Sequence, residues 1–123
     1  MPTGLAIAFA GALGALSRWG LDSLLERRGG AFPWGILLVN VSGSLLIGVA
    51  AGLFEARFEH ETWLRAAVMV GLLGGYTTFS TFSLDTYRLL QEGLVEHALA
   101  NALGSVVLAL AAVWAGLRLG EAF

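Results

Sequence analysis

Residues able to do chemistry are sparse in this 123-residue chain, and most of them lie together. From Thr77 to Ser83 the sequence reads TTFSTFS, five hydroxyls in seven positions, interrupted only by Phe79 and Phe82. A glycine pair, Gly74-Gly75, precedes it, inside the longer stretch GLLGGYTTFSTFSLDTYRLL from Gly71 to Leu90. The surroundings are strongly apolar. A polar cluster at bilayer depth costs free energy unless it lines a pathway or bonds to protein, so it is a functional hypothesis by default. Hydroxyls donate and accept hydrogen bonds. The edges of phenylalanine rings carry positive quadrupole potential. At i and i+3, Phe79 and Phe82 share one helical face, and Ser80 and Ser83 share an adjacent one. Such faces suit an anion in transit, which a full positive charge would trap. The competing reading is a core phenylalanine pair, with serines bonded back to their own helix.

Other polar positions are isolated. Asn40 is flanked by Val39 and Val41, and Asn40, Ser44, Gly48 and Gly52 follow one gently drifting face in steps of four. Its NH2 can donate to an anion, or it can serve as interhelical glue. Asn101 and Ser105, at i and i+4, form one polar track near the C-terminus. Arg18 lies near a membrane edge, either snorkelling or facing a vestibule, with Asp22 at i+4 as a same-face partner. Asp85 and Arg88 are spaced to pair as well, and His60 and His97 read as interfacial. No nucleophile–His–acid arrangement, phosphate loop or carboxylate pair falls inside an apolar span, so an enzyme is not expected. Cysteine is absent, which excludes disulfides, zinc–thiolate sites and thiol catalysis.

The elements that position these residues follow from composition. The chain is 57% hydrophobic and 13% charged, with mean hydropathy +0.77. A soluble domain carries about 25% charged residues, so the deficit points to a membrane. A net charge of −2 does not suit a nucleic-acid partner. No positive charge precedes Arg18, so the N-terminus lacks the basic region of a signal peptide and reads as a mature helix. A spanning helix needs about 20 apolar residues. Four such spans are predicted, over about 4–25, 34–54, 63–90 and 94–119, forming a single transmembrane domain. Trp19, Trp34, Trp63 and Trp114 fall near their ends, as in an aromatic belt. Gly4, Gly11 and Gly14 make a small-residue packing stripe on the first span. The third span is long because it is interrupted, with Gly74-Gly75 its weak point. A break there frees carbonyls near residues 74–77 to bind a cation. Arginines are nearly balanced between the two sides. Arg57, Arg65 and Arg118 face Arg18, Arg27, Arg28 and Arg88. The positive-inside rule then gives almost no preference. Noise in a small count explains this, and so does a chain that inserts both ways and pairs with its inverted copy.

Three motifs extend the reading: GALSRWGLD ending at Asp22, LLVNVSGSLLIG from Leu37 to Gly48, and above all GGYTTFSTFSLDT from Gly74 to Thr86. Through them the chain resembles the CrcB/Fluc fluoride channels over essentially its whole length. The resemblance implies an all-α membrane protein of four transmembrane helices, the third broken near its middle. It implies an antiparallel dual-topology homodimer with two pores, exporting fluoride passively across the prokaryotic inner membrane. It implies a structural sodium ion at the dimer centre, held by backbone carbonyls of Gly74 and Thr77. By the same resemblance Phe79, Phe82 and Asn40 line the pores, with Ser80, Thr81 and Ser83 the hydroxyl-rich wall. Arg18 sits near a vestibule and Ser105 on a polar track of the fourth span. One departure is visible: some members carry tyrosine where this chain has Asn101, and Ala109 follows one turn beyond Ser105. Two rival readings are a proton-coupled small multidrug transporter and a non-transporting membrane assembly subunit. The first needs a carboxylate in the first span, and residues 3–17 contain none.

Overall fold

The computed structural model describes residues 2–26 and 30–123. Arg27 and Arg28, two arginines of the topology count, lie outside the described residues. Helix α1 runs Thr3–Glu26 and α2 runs Trp34–Ala56. The third span is divided. Its first half, α3 (62–76), is followed by α4 (Phe79–Gln91), and α5 covers Val95–Ala122. Counting 62–91 as one interrupted span, four helices among the described residues are long and apolar enough to cross a membrane. Their ends lie within a few residues of the hydropathy-based expectation. Large apolar side chains such as Phe9, Leu46, Leu103 and Trp114 face outward, as lipid-facing residues do.

Without a hydrophobic force between helices in lipid, close backbone packing holds them together. Two glycine seams supply it. On α2, Gly48 and Gly52 meet Gly116 and Gly120 of α5. A Cβ on Gly52 would lie 2.6 Å from the Leu117 carbonyl, and one on Gly116 would overlap the Leu45 carbonyl. On α1, Gly11 and Gly14 meet Gly71 and Gly75 of α3. A Cβ on Gly75 would lie 2.6 Å from the Gly11 carbonyl, and one on Gly14 would overlap that of Leu72. The stripe read from sequence is therefore a packing seam, except at Gly4, which faces open space. Gly116 and Gly120 were not singled out by sequence, because a small residue becomes a seam only through its partner.

The interruption of the third span falls later than expected. Residues Ala66–Leu73 form a wider helix with i→i+5 bonds, and Gly74–Tyr76 close one α-helical turn. Gly74 itself is helical, with φ −64° and ψ −38°. The chain extends only at Thr77 (φ −85°, ψ 155°) and Thr78 (φ −151°, ψ 120°). The glycine pair is thus not the hinge. Gly75 is there for the approach of α1, and the break belongs to the two threonines. Thr78 then caps α4, its side chain accepting from the Thr81 N–H.

The seams make a paired prediction. Gly116→Ala should lower stability by about 1–3 kcal/mol, because backbone must shift to admit the methyl. Gly20→Ala, where nothing lies within 4 Å, should be neutral or gain up to about 1 kcal/mol. Thermal unfolding in detergent compares them, and a Gly116→Ala variant as stable as the native protein would contradict the seam.

Candidate functional site

The site is built on the break. Ending a helix inside a membrane exposes backbone groups that have no water to bond. One side chain of α2 answers this. The Thr78 N–H donates to Asn40 Oδ1 at 2.9 Å, and Asn40 Nδ2 donates to the Thr78 carbonyl at 3.0 Å. The carboxamide therefore stands in for a peptide unit and ties α2 to the start of α4. The Thr77 N–H and hydroxyl both donate to the Leu73 carbonyl, at 3.0 and 2.9 Å. The Thr81 N–H donates to Thr78 Oγ1 at 3.2 Å. In an unbroken helix the N–H groups of Thr78 and Thr81 would reach the carbonyls of Gly74 and Thr77. Both donors are diverted, so those two carbonyls lose their helical partners. Nearby, the hydroxyls of Ser42 and Tyr76 bond at 2.9 Å, fastening α2 to α3 as well.

Beside the break lies a cavity of about 270 Å³. Its lining brings together Asn40 of α2, Thr77 and Thr78 of the break, Phe79 and Phe82 of α4 and Ser105 of α5. The Phe79 and Phe82 rings are 5.6 Å apart between centroids and tilted by 44°. Phe79 is 79% exposed, open on its outer side. Ser105 Oγ donates to Asn101 Oδ1 at 3.3 Å, and Asn101 Nδ2 donates to Thr86 Oγ1 at 2.9 Å. Thr86 in turn donates to the Phe82 carbonyl at 2.8 Å. The polar track of α5 is therefore real and continues across to α4.

Other expected residues lie outside this lining. Ser83 bonds back to the Phe79 carbonyl at 2.9 Å. Ser80 and Thr81 contact the Thr78 hydroxyl at 3.4 and 3.2 Å. Gly74 is exposed on α3. Arg18 is also apart, its Nε buried without a hydrogen-bond partner among the described residues. The expected ion pairs Arg18–Asp22 and Asp85–Arg88 do not form; among the described residues the one salt bridge is Arg118–Glu121, at 3.8 Å. Asp22 instead lies against Gly35 of α2, in space that a side chain there would fill. Asp22, Glu26, Asp85, Arg88 and Glu92 surround a second cavity of about 350 Å³ towards the C-terminal end of α4. The arrangement thus has neutral polar groups and aromatic rings beside the break and a charged mouth nearer one end. Sequence reasoning missed the capping role of Thr78 and the link through Thr86. The cap is a local threonine signal that the dense run of hydroxyls obscured, whereas the Thr86 link has no local signal because it depends on Asn101 of α5.

Asn40 now has a structural duty that isosteric loss should reveal. Asn40→Leu keeps volume but strands the N–H and carbonyl of Thr78. At about 1–3 kcal/mol for each unsatisfied group, the two together should cost about 2–6 kcal/mol, read as a lowered unfolding midpoint in detergent. A Leu variant of native stability would show that the break does not depend on this amide.

Comparison with known proteins places this geometry. The family model described as CrcB-like protein, Camphor Resistance (CrcB), matches residues 5–117. A protein of Nitrobacter winogradskyi, named fluoride-specific ion channel FluC, is 48% identical over 119 residues, covering 94% of this chain and 92% of its own. A Solibacter usitatus protein of the same name is 47% identical over 118 residues, covering 95% and 97%. A Methylococcus capsulatus protein, also so named, is 53% identical over 117 residues, which are 94% of this chain but 51% of that longer one. With its four spans, its broken third helix and a family match from residue 5 to residue 117, this chain belongs to the CrcB family.

Proposed function

We propose that the chain is a fluoride-selective channel that lets fluoride leave the cell passively and so limits its toxicity. The observation that carries this reading is the 48% identity, over 94% of the chain, to a protein named a fluoride-specific ion channel. The chain is a multi-pass protein of the plasma membrane and not an enzyme. The cavity chemistry supports the ion. A small anion is strongly hydrated, so losing water must be offset by good donors. Asn40 spends one amide proton on Thr78 and has a second to offer. The edges of Phe79 and Phe82 add weak positive potential. Among the described residues no arginine lines this cavity, which favours passage over capture.

The working unit in this proposal is an antiparallel dual-topology homodimer with two pores. Two features support it: the near balance of arginines, and the exposed outer side of Phe79, which an inverted copy would cover. A structural sodium ion at the dimer centre fits the same picture. The carbonyls of Gly74 and Thr77 lack their helical donors, and unwound carbonyls at membrane depth suit a sodium ion. When bound, it would neutralise their dipoles and tie the two copies.

Fluoride efflux from liposomes holding the purified protein tests the function, with chloride as control. Fluoride should leave and chloride should stay; no fluoride flux, or equal chloride flux, sinks the channel reading. It also separates this reading from a proton-coupled multidrug transporter and from a non-transporting subunit. Removal of sodium should lower the unfolding midpoint of the dimer. At a concentration of 100 times Kd, the ion would contribute about 2.7 kcal/mol. An unchanged midpoint in sodium-free buffer would falsify the central site.

A further inference from the structure

The relay behind the cavity has a direction, and the direction is wrong for an anion. Asn101 is 1% exposed and Ser105 7% exposed, so neither has water to fall back on. An amide nitrogen only donates, and a hydroxyl has one proton. Asn101 Nδ2 therefore gives its proton to Thr86 Oγ1, and Thr86 passes its own to the Phe82 carbonyl. At the other end Ser105 gives its proton to Asn101 Oδ1. Ser105 lines the cavity beside Phe82, so in this arrangement it turns lone pairs towards that space. Lone pairs repel an anion.

Turning the Asn101 amide by 180° reverses the relay. The last torsion of an asparagine is broad and roughly two-fold, so the turn needs no helix movement. Nδ2 then donates to Ser105 Oγ, and Thr86 swings its proton from the Phe82 carbonyl to Asn101 Oδ1. The Phe82 carbonyl keeps the backbone N–H of its own helix. Ser105, now an acceptor from Asn101, directs its proton into the cavity. Three bonds exist before the turn. Three exist after it once the Ser105 proton finds an acceptor, either a carbonyl of its own helix or a group in the cavity. An anion is the stronger acceptor, so its arrival favours the reversed relay.

Resting on the fluoride reading above, we propose that Asn101 is a positioning residue. Its buried amide sets whether Ser105 offers lone pairs or a proton to the cavity, and it turns when an anion arrives. Thr86 is the counterweight that holds the amide in the resting sense.

The test is fluoride efflux from liposomes holding the full-length protein or its variants. Ser105→Ala and Asn101→Leu should each slow efflux by about tenfold, one hydrogen bond's worth. In Asn101→Leu the serine proton returns to a carbonyl of its own helix. The double variant should be no slower than Ser105→Ala alone, because Asn101 acts through Ser105. Thr86→Val should move the other way, keeping efflux at or above the native rate, since the amide no longer has a resting acceptor. A merely structural relay would make Thr86→Val slow like Asn101→Leu. In parallel, the side-chain amide resonance of 15N-labelled Asn101 should shift on adding fluoride in the native protein and not in Ser105→Ala. Native efflux with multiplicative single effects, a slow Thr86→Val, or a resonance indifferent to fluoride overturns this inference alone. A native protein that passes no fluoride overturns the channel reading, and this one with it. Should Asn101→Leu not fold, the contrast between Ser105→Ala and Thr86→Val decides.

Discussion

Hydrocarbon offers backbone no hydrogen bonds, and at the break in the third span Asn40 supplies the two that Thr78 needs. Its carboxamide takes the N–H and gives to the carbonyl of the same residue, Thr78. Both ends of one peptide-like group are used, so the amide fixes position and direction together. A serine or threonine has its donor and its acceptor on one short-reaching oxygen, not on two atoms spaced to meet both ends of a peptide unit. The rest of the site is a consequence. Once Thr78 is held by α2, its hydroxyl is free to cap α4, and the capped helix starts with Phe79 beside the cavity.

That arrangement needs α2 and the third span to sit at fixed distances from their neighbours. The glycine seams provide this without side chains that could repack. Gly48 and Gly52 lock α2 against α5, which carries Ser105 to the cavity with Asn101 bonded behind it. Gly11 and Gly14 lock α1 against α3, which delivers Thr77 and Thr78 to Asn40. Contacts between backbones allow little slack, because a backbone cannot change rotamer. The irregular segment is therefore framed by the least adaptable packing in the molecule, and the i→i+5 turn of Ala66–Leu73 lies inside that frame.

How much of this was legible in the sequence follows the range of each interaction. The spans were plain, because burial in lipid imposes length and apolarity on each helix separately. The Gly11/Gly14 stripe was plain for the same reason of local spacing. The break was expected near the right place but assigned to Gly74-Gly75. Glycine permits a bend without causing one, and the cause was an asparagine 38 residues away. The phenylalanine pair, Asn40 and Ser105, expected along a pore from separate motifs, line one cavity. The Arg18–Asp22 pair failed because helical spacing says which residues can meet, while Gly35 opened a different place for Asp22. Asn101 with Ser105 was visible as a track, but Thr86 was not, since nothing along α4 marks which of its hydroxyls meets an amide on α5.

The polar inventory of the site also explains why charge is kept to its margins. Almost every hydroxyl near the break has already committed its proton. Ser44 gives to Asn40, Thr77 to Leu73, Ser83 to Phe79 and Thr86 to Phe82, each a backbone carbonyl one turn back. These bonds make the groups tolerable in lipid while no ion is present. They also mean that an anion finds few free protons and must win them from carbonyls. Each proton it wins is replaced, bond for bond, when it leaves. Binding is then shallow at every step, because the competing bond is always within reach of the same hydroxyl. An arginine at mid-span would offer protons that no carbonyl had claimed, and the ion would stay. Neutral groups with committed protons thus reconcile two demands, stability of the empty protein in the membrane and easy release of the ion.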